Sequence, residues 1–147
     1  MLHVGVNDIN RRDRLPAEDL VRQLQQKCND IHKVYPTTKV FLSPVLPTKS
    51  PELNKKIWQV NEGIVQLSKK HHNLILVDNS IFANNFDCLR PEYGCYMNQR
   101  DILHLGKAGI KVFAESLKSY VMGKNLNITK SLNYDTAYKS GQAVHAF

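Results

Sequence analysis

Near the C-terminal end of the chain, Asp101-Ile102-Leu103-His104 places a carboxylate three residues before an imidazole. Histidine is the usual general base because its ordinary pKa lies near neutrality, and a carboxylate on one ring nitrogen fixes the tautomer that leaves the other free. A separation of three residues in a turn lets one side chain fold back onto the other. The same spacing is also typical of a cap or a surface pair, so this segment alone does not specify an enzyme.

A second polar segment, Gly5-Val6-Asn7-Asp8, directly follows a short apolar run that begins at Leu2. The side-chain amide of Asn7 has an N–H that could stabilise a developing oxyanion. An Asn-Asp pair after a strand is, however, usually a turn, because both side chains can bond their own backbone. Neither segment is specific alone.

The elements that must position these residues alternate along the chain. The hydrophobic pattern predicts strands at 2–6, 39–43 and 74–78, and helices at 16–35, 50–70 and 106–122. This alternation favours a parallel sheet with right-handed crossovers, in which a site lies beyond the carboxyl ends of the strands. We therefore expect residues 7–10, 43–48 and 78–80 to gather at that edge.

Between the last strand and the last helix, residues 79–103 form an irregular stretch that is uncommon unless it is functional or contains short helical turns. The last helix has apolar residues on one face, at Ile110, Phe113, Ala114, Leu117 and Val121. We expect one domain over 1–122 and a mobile tail over 123–147, because the final segment is polar with weak periodicity.

Together, Gly-x-Asn-Asp near the start and Asp-x-x-His before the last helix resemble blocks III and V of the SGNH hydrolase superfamily, the GDSL esterases and lipases. The resemblance covers residues 2 to about 121 and is similar to the esterase-like domains of some retroelement open reading frames. It implies a flavodoxin-like fold, a three-layer α/β/α arrangement around a parallel sheet. It also implies His104 as general base, Asp101 as its orienting carboxylate and Asn7 as oxyanion donor.

The resemblance further implies an ester or acyl substrate, with no metal and no organic cofactor. Gly5 belongs to the oxyanion block. The loop before His104 borders the substrate cleft in this family, so Tyr93 and Tyr96 are candidates for an aromatic substrate wall. A packed loop is the alternative interpretation of both tyrosines.

The chain departs from the family pattern at the nucleophile, because no Gly-Asp-Ser block occurs in it. Ser43 and Ser80 lie near carboxyl ends of predicted strands, but neither stands at the family position. We therefore expect an SGNH domain fragment without its first two strands, weak or inactive alone. Three interpretations stay open: a truncated sequence, completion by another polypeptide or by self-association through the exposed first strand, and a chain that folds alone.

The charge balance suggests a second function. With 20 Lys+Arg against 13 Asp+Glu, the net charge is +7, which favours anionic partners. A non-catalytic basic binding or assembly module, with a nucleic-acid or protein partner, is therefore the alternative to an esterase. The basic residues are dispersed, so nucleic acid is not the favoured partner.

No membrane partner is expected, because no apolar run approaches the roughly 18 residues of a membrane span. The N-terminal residues do not resemble a signal peptide either, so the default expectation is a cytoplasmic protein with free thiols. Cys28 falls on the apolar face of the first helix, as a small core residue would. Cys88 and Cys95 would pair only in an oxidising compartment.

Overall fold

The computed structural model describes residues 2, 3, 9, 15–85, 87–94 and 101–123. Within these ranges the chain forms helices and strands in the order α1 (Ala17–Val34), β1 (Val40–Leu42), α2 (Pro51–Lys70), β2 (Leu74–Leu76) and α3 (Lys107–Val121). Each helix begins and ends close to its predicted bounds, while the strands are shorter than predicted. The predicted tail lies outside the described residues.

The start of α2 shows how the sequence sets a helix boundary. Ser50 is the N-cap, and its hydroxyl accepts a hydrogen bond of 3.3 Å from the backbone N–H of Leu53. Pro51 occupies the first helical position, where its missing N–H has no intrahelical partner to lose. This start agrees with the sequence prediction.

The described strands are parallel. β1 pairs with β2 in the register Val40↔Leu74 to Leu42↔Leu76. On the other side of β1, Leu2 forms an isolated parallel bridge with Leu42. The backbone N–H of Leu2 donates to the carbonyl of Phe41 at 2.8 Å, and the N–H of Ser43 donates to the carbonyl of Leu2 at 2.9 Å. The prediction of an α/β fold with parallel strands is confirmed, while residues 4–6 of the first strand lie outside the described residues.

Helices contact both faces of these strands. Val40 and Leu42 are buried in a core cluster with residues of α1 and α2 such as Cys28 and Ile57. Successive strand residues point to opposite faces, and Phe41 accordingly contacts Tyr120 of α3, with ring centroids 6.3 Å apart.

The buried face of α3 differs from its apolar stripe. The buried residues are Gly109, Ser116 and Ser119, whereas Ile110 and Val121 are exposed. A Cβ at position 109 would lie 2.6 Å from the carbonyl oxygen of Tyr93. At position 109 the helix backbone therefore approaches its neighbour too closely for a side chain, and part of the apolar stripe is left outside the core.

The long segment after β2 contains two short 3-10 turns, Ser80–Phe82 and Pro91–Tyr93. Phe82 is fully buried and its ring contacts both Phe113 of α3 and Tyr93. The segment is thus packed through short helical turns, which was one of the two interpretations of its length.

Candidate active site

Asp101 and His104 are joined side chain to side chain. The Nδ1 atom of His104 lies 2.9 Å from both carboxylate oxygens of Asp101. Oδ1 of Asp101 also accepts hydrogen bonds from the backbone N–H groups of His104 and Leu103, at 3.0 and 3.1 Å. The carboxylate therefore caps the turn and orients the ring that the turn carries.

These contacts favour the charged form of the carboxyl group. The hydrogen bond from the backbone N–H of His104 is the largest cause that holds the pKa of Asp101 below its ordinary value, with further contributions from Leu103 and the His104 ring. The Asp101 side chain is 20% exposed and that of His104 is 65% exposed. The pair thus presents an imidazole to solvent above a carboxylate, and a ring that donates from Nδ1 keeps the lone pair of Nε2 for a proton.

The loop that carries this pair is held from two sides. The backbone N–H of Lys49 donates to the carbonyl of Ile102 at 3.0 Å, and the N–H of Gly106 donates to the carbonyl of Tyr93 at 2.8 Å. Gly94 also forms an antiparallel bridge with Leu105. The position of His104 therefore depends on the segment after β1 and on the second 3-10 turn.

Two buried asparagines of α2 hold the segment after β1. Asn61 accepts from the N–H of Val45 at 2.8 Å and donates to its carbonyl at 2.9 Å. Asn54 accepts from the N–H and the hydroxyl of Thr48, both at 2.8 Å, and donates to the carbonyls of Thr48 and Asp87. Sequence reasoning missed both residues, although asparagines seven residues apart beside an apolar helix stripe are a usable signal.

At the carboxyl ends of the strands, Ser43 and Asn79 meet. Nδ2 of Asn79 donates to Oγ of Ser43 at 2.9 Å and to the carbonyl of Pro44 at 2.8 Å. Oγ of Ser43 also lies 2.8 Å from Nδ1 of His3. Residues 43–48 and 78–80 therefore gather at one edge, as predicted, while of residues 7–10 only Ile9 is described and is buried.

The cluster around Ser43 is packed. Ser43 is 3% exposed, and the His3 ring lies against Phe113 with ring centroids 4.7 Å apart. His3 as a whole is exposed, but desolvation of the part of the ring that is covered lowers the pKa of His3, and its hydrogen bond to Ser43 opposes that effect in part. Ser80 is half-buried in a turn in which its N–H donates to Asp78. No described serine hydrogen-bonds to His104.

Several predicted site residues are not placed, because Gly5, Asn7 and Tyr96 lie outside the described residues. Tyr93 is half-buried and contacts Phe82, with ring centroids 5.3 Å apart. Its carbonyl supports the His104 loop through Gly106, so the described contacts are those of a packed loop residue. A substrate contact at Tyr93 stays a prediction.

Within the described ranges, no group of three or more His, Cys, Asp or Glu residues could hold a metal ion. Cys28 is buried, as predicted, and burial raises the pKa of its thiol. Cys88 is half-buried with a free thiol, and its potential partner Cys95 lies outside the described residues. No helix in the part of the chain that the structure describes is long and apolar enough to span a bilayer.

Comparison with solved structures confirms the resemblance to SGNH-like esterases, the retroelement-encoded kind included. One similar chain is a provisionally assigned platelet activating factor from Streptococcus pneumonia, at 26% identity over 80% of this chain, with a TM-score of 0.67. Another is the esterase domain of the ORF1 protein of the zebrafish ZfL2-1 retrotransposon, at 23% identity over 84% of this chain, with a TM-score of 0.60.

The chain spans 56% of the length of the Streptococcus chain and 67% of the zebrafish domain. No protein-family model and no curated protein matches the sequence. The fold is therefore esterase-like, and the activity of this chain has to be argued from its own residues.

Proposed function

We propose that the chain is an SGNH-type serine esterase domain whose described part supplies the acid–base half of the site. The Nδ1 contact of His104 with both oxygens of Asp101 carries this proposal, because it is the contact that a hydrolytic dyad requires. In this proposal the described helices and strands form the later part of a three-layer, flavodoxin-like α/β/α fold that lacks its first two strands.

The proposed reaction is hydrolysis of a carboxylic ester or acyl group. A serine oxygen attacks the acyl carbonyl while its proton passes to Nε2 of His104, and Asp101 stabilises the resulting imidazolium. Asn7 donates its amide N–H to the oxyanion of the tetrahedral intermediate. Collapse of the intermediate expels the alcohol, which takes the proton from His104, and water then releases the acyl group by the same steps.

The nucleophile is the part for which the described residues offer no candidate. Oγ of Ser43 is buried and engaged by both Asn79 and His3. An attacking oxygen must instead lie within hydrogen-bond reach of the base and of the substrate. We therefore propose that this chain alone has little or no esterase activity.

Labelling with a fluorophosphonate, followed by intact-mass analysis, tests this proposal. The parent chain, His104→Ala and the matched control His72→Ala would be compared, since His72 is exposed and lies outside the site. We expect no adduct on any of the three. An adduct on the parent and on His72→Ala that is absent from His104→Ala would overturn the inactivity, and its mapped position would identify the serine.

The net charge of +7 supports the alternative, a non-catalytic basic binding or assembly module. Nucleic-acid binding through phosphate contacts would weaken linearly in log K against log salt concentration. Binding that does not change between low and physiological salt would argue against a nucleic-acid partner. Self-association would appear in sedimentation as a dimer whose fraction falls on dilution.

A further inference from the structure

A row of aliphatic side chains on α3 lies outside the core. Ile110, Ala114, Leu117 and Val121 follow each other at spacings of four, three and four residues. Ile110 is 58% exposed and Val121 is 67% exposed, Ala114 is exposed and Leu117 is half-buried. We call these four residues the α3 seam.

The α3 seam is distinct from the face that α3 packs inward. That inward face includes the buried Gly109, Ser116 and Ser119 and the rings of Phe113 and Tyr120, which lie beside the seam rather than on it. Scattered exposed aliphatic residues are ordinary in soluble proteins. Three exposed aliphatic residues and one half-buried one in a row, at the spacing by which one helix packs its side chains against another, indicate a helix-binding surface.

The charges beside the α3 seam define the chemistry of an occupant. Lys111 and Lys118 each follow a seam residue by one position, where flanking charges stand in paired helices. Both are exposed, as is Lys107 in the first turn. The carboxylate of Glu115 is the only one in α3, and it lies away from the seam. The seam is therefore an aliphatic stripe with a basic edge.

We propose that the α3 seam binds an amphipathic helix of a partner protein, with aliphatic residues facing the seam and acidic residues facing Lys111 and Lys118. A second copy of this chain fits less well, because it would bring a second set of lysines and no carboxylate to the seam. Charge complementarity steers such association and selects the partner.

This surface adjoins the candidate active site. Ile110 lies in the first turn of α3, directly after the loop that carries His104, and the backbone of Gly109 lies against Tyr93. A helix seated on the seam would therefore lie beside the His104 loop. The proposal does not depend on esterase activity, since its test measures binding alone.

A designed peptide of about three heptads, with leucine along its seam and glutamate in the flanking positions, serves as the probe. Its binding to the full chain would be measured by fluorescence anisotropy, beside the same peptide with lysine in the flanking positions. The seam variant is the double substitution Ile110→Ser and Val121→Ser. Its matched control is Val34→Ser on α1, because Val34 is 66% exposed and lies at the far end of another helix.

We expect the glutamate peptide to bind the parent chain and the control alike, and the seam variant about tenfold more weakly or worse. Replacing Lys111 and Lys118 by glutamate should transfer the preference to the lysine peptide. Thermal unfolding would verify that the seam variant folds, which is expected because both positions are exposed.

Several results would overturn the proposal. The glutamate peptide could fail to bind the parent chain. Equally, the seam variant could bind the glutamate peptide as tightly as the parent does. Equal binding of both peptides would remove the acidic requirement. A parent dimer that the seam variant converts to monomer would identify a second copy as the occupant. Binding to vesicles that contain phosphatidylserine, lost in the seam variant, would identify a lipid surface instead.

Discussion

Among the described histidines whose Nδ1 atom contacts a polar side chain, His104 and His3 differ in the partner that they meet. His104 faces a carboxylate and its side chain is 65% exposed. His3 faces the hydroxyl of Ser43, which is 3% exposed, and its own ring lies against Phe113. The base with a carboxylate partner therefore has access to solvent but no described serine, whereas the serine with a histidine partner has no access.

This difference shows that a serine beside a histidine is not by itself a hydrolytic pair. The geometry at Ser43 satisfies hydrogen bonds that burial would otherwise leave unmade. The geometry at Asp101 leaves one imidazole nitrogen available for a proton from outside. The Ser43–His3 site and the Asp101–His104 site share one structural support, the segment from Ser43 to Lys49. This segment begins at Ser43, and the backbone N–H of Lys49 donates to the carbonyl of Ile102 in the His104 loop.

The largest expected effect comes from supplying a Gly-Asp-Ser block, which does not occur in the sequence. We expect that joining the chain to an SGNH-type strand–helix–strand segment with a Gly-Asp-Ser block yields ester hydrolysis above background. His104→Ala should then reduce kcat by about 10³-fold or more, and Asp101→Asn by a similar factor, because the base and its orienting carboxylate act as a unit. A chromogenic ester assay would measure these rates.

His72→Ala in the same fusion is the matched control and should keep the rate. Only preparations that unfold cooperatively would be compared. Hydrolysis that persists in the His104→Ala fusion would remove His104 from the mechanism and leave its pair with Asp101 as a cap.

The next largest effect is expected on stability, from loosening the 43–49 segment that supports both sites. Asn54→Ala removes the bonds to Thr48 and Asp87 and leaves the buried backbone N–H of Thr48 without its partner, while the Thr48 carbonyl keeps the bond from the N–H of Leu89. We expect the free energy of unfolding to fall by about 3–5 kcal/mol. Denaturant unfolding would measure it beside Asn29→Ala on α1, expected within about 0.5 kcal/mol of the parent. Equal losses in the two variants would mean that the Asn54 contacts do not hold the segment.

Local signals made part of this structure predictable from the sequence. The pair Ser50-Pro51 predicts the start of α2, and the three-residue spacing of Asp101 and His104 predicts that their side chains meet. Both depend on neighbours along the chain, so the sequence contains all the necessary information. The alternation of strands with helices also predicted that the carboxyl ends of the strands meet at one edge, where Ser43 contacts Asn79.

Other features depend on contacts between distant segments. From the sequence, Asn54 is only a polar residue beside the apolar stripe of α2. Its role becomes visible once the segment that contains Thr48 is placed against it. Gly109 lies on the buried face of α3 because the backbone packs closely there, whereas a hydrophobic pattern favours Ile110 for that role. Steric fit of this kind cannot be inferred from the composition of one helix.

A smaller effect is expected at the buried serine. Ser43→Ala leaves Nδ1 of His3 without its partner and Nδ2 of Asn79 with the carbonyl of Pro44 alone. We expect a loss of about 1–3 kcal/mol in the free energy of unfolding and no change in fluorophosphonate labelling. Ser68→Ala is the control, since that hydroxyl bonds the carbonyl of Val65 one turn away within α2. Fluorophosphonate labelling that occurs in the parent and is lost in Ser43→Ala would instead identify Ser43 as a reactive serine.

The smallest expected effect is the contribution of His3 to the pH dependence of the free energy of unfolding. Burial holds the pKa of His3 in the folded chain below its ordinary value of 6.5, so between the two values the unfolded chain binds more protons. Stability should therefore be complete above about pH 6.5 and decline as pH falls through that value. The pKa of Asp101 is also lowered, but from an ordinary value of 3.8, so its contribution is lost at much lower pH and does not overlap.

Denaturant unfolding at pH 5 and pH 7.5 would measure the His3 effect. His3→Phe keeps an aromatic ring against Phe113 but cannot titrate, so we expect a smaller difference between the two pH values than in the parent. An equal difference in parent and variant would assign the pH dependence to other groups. It would also mean that the His3 ring is as well solvated in the folded chain as in the unfolded one.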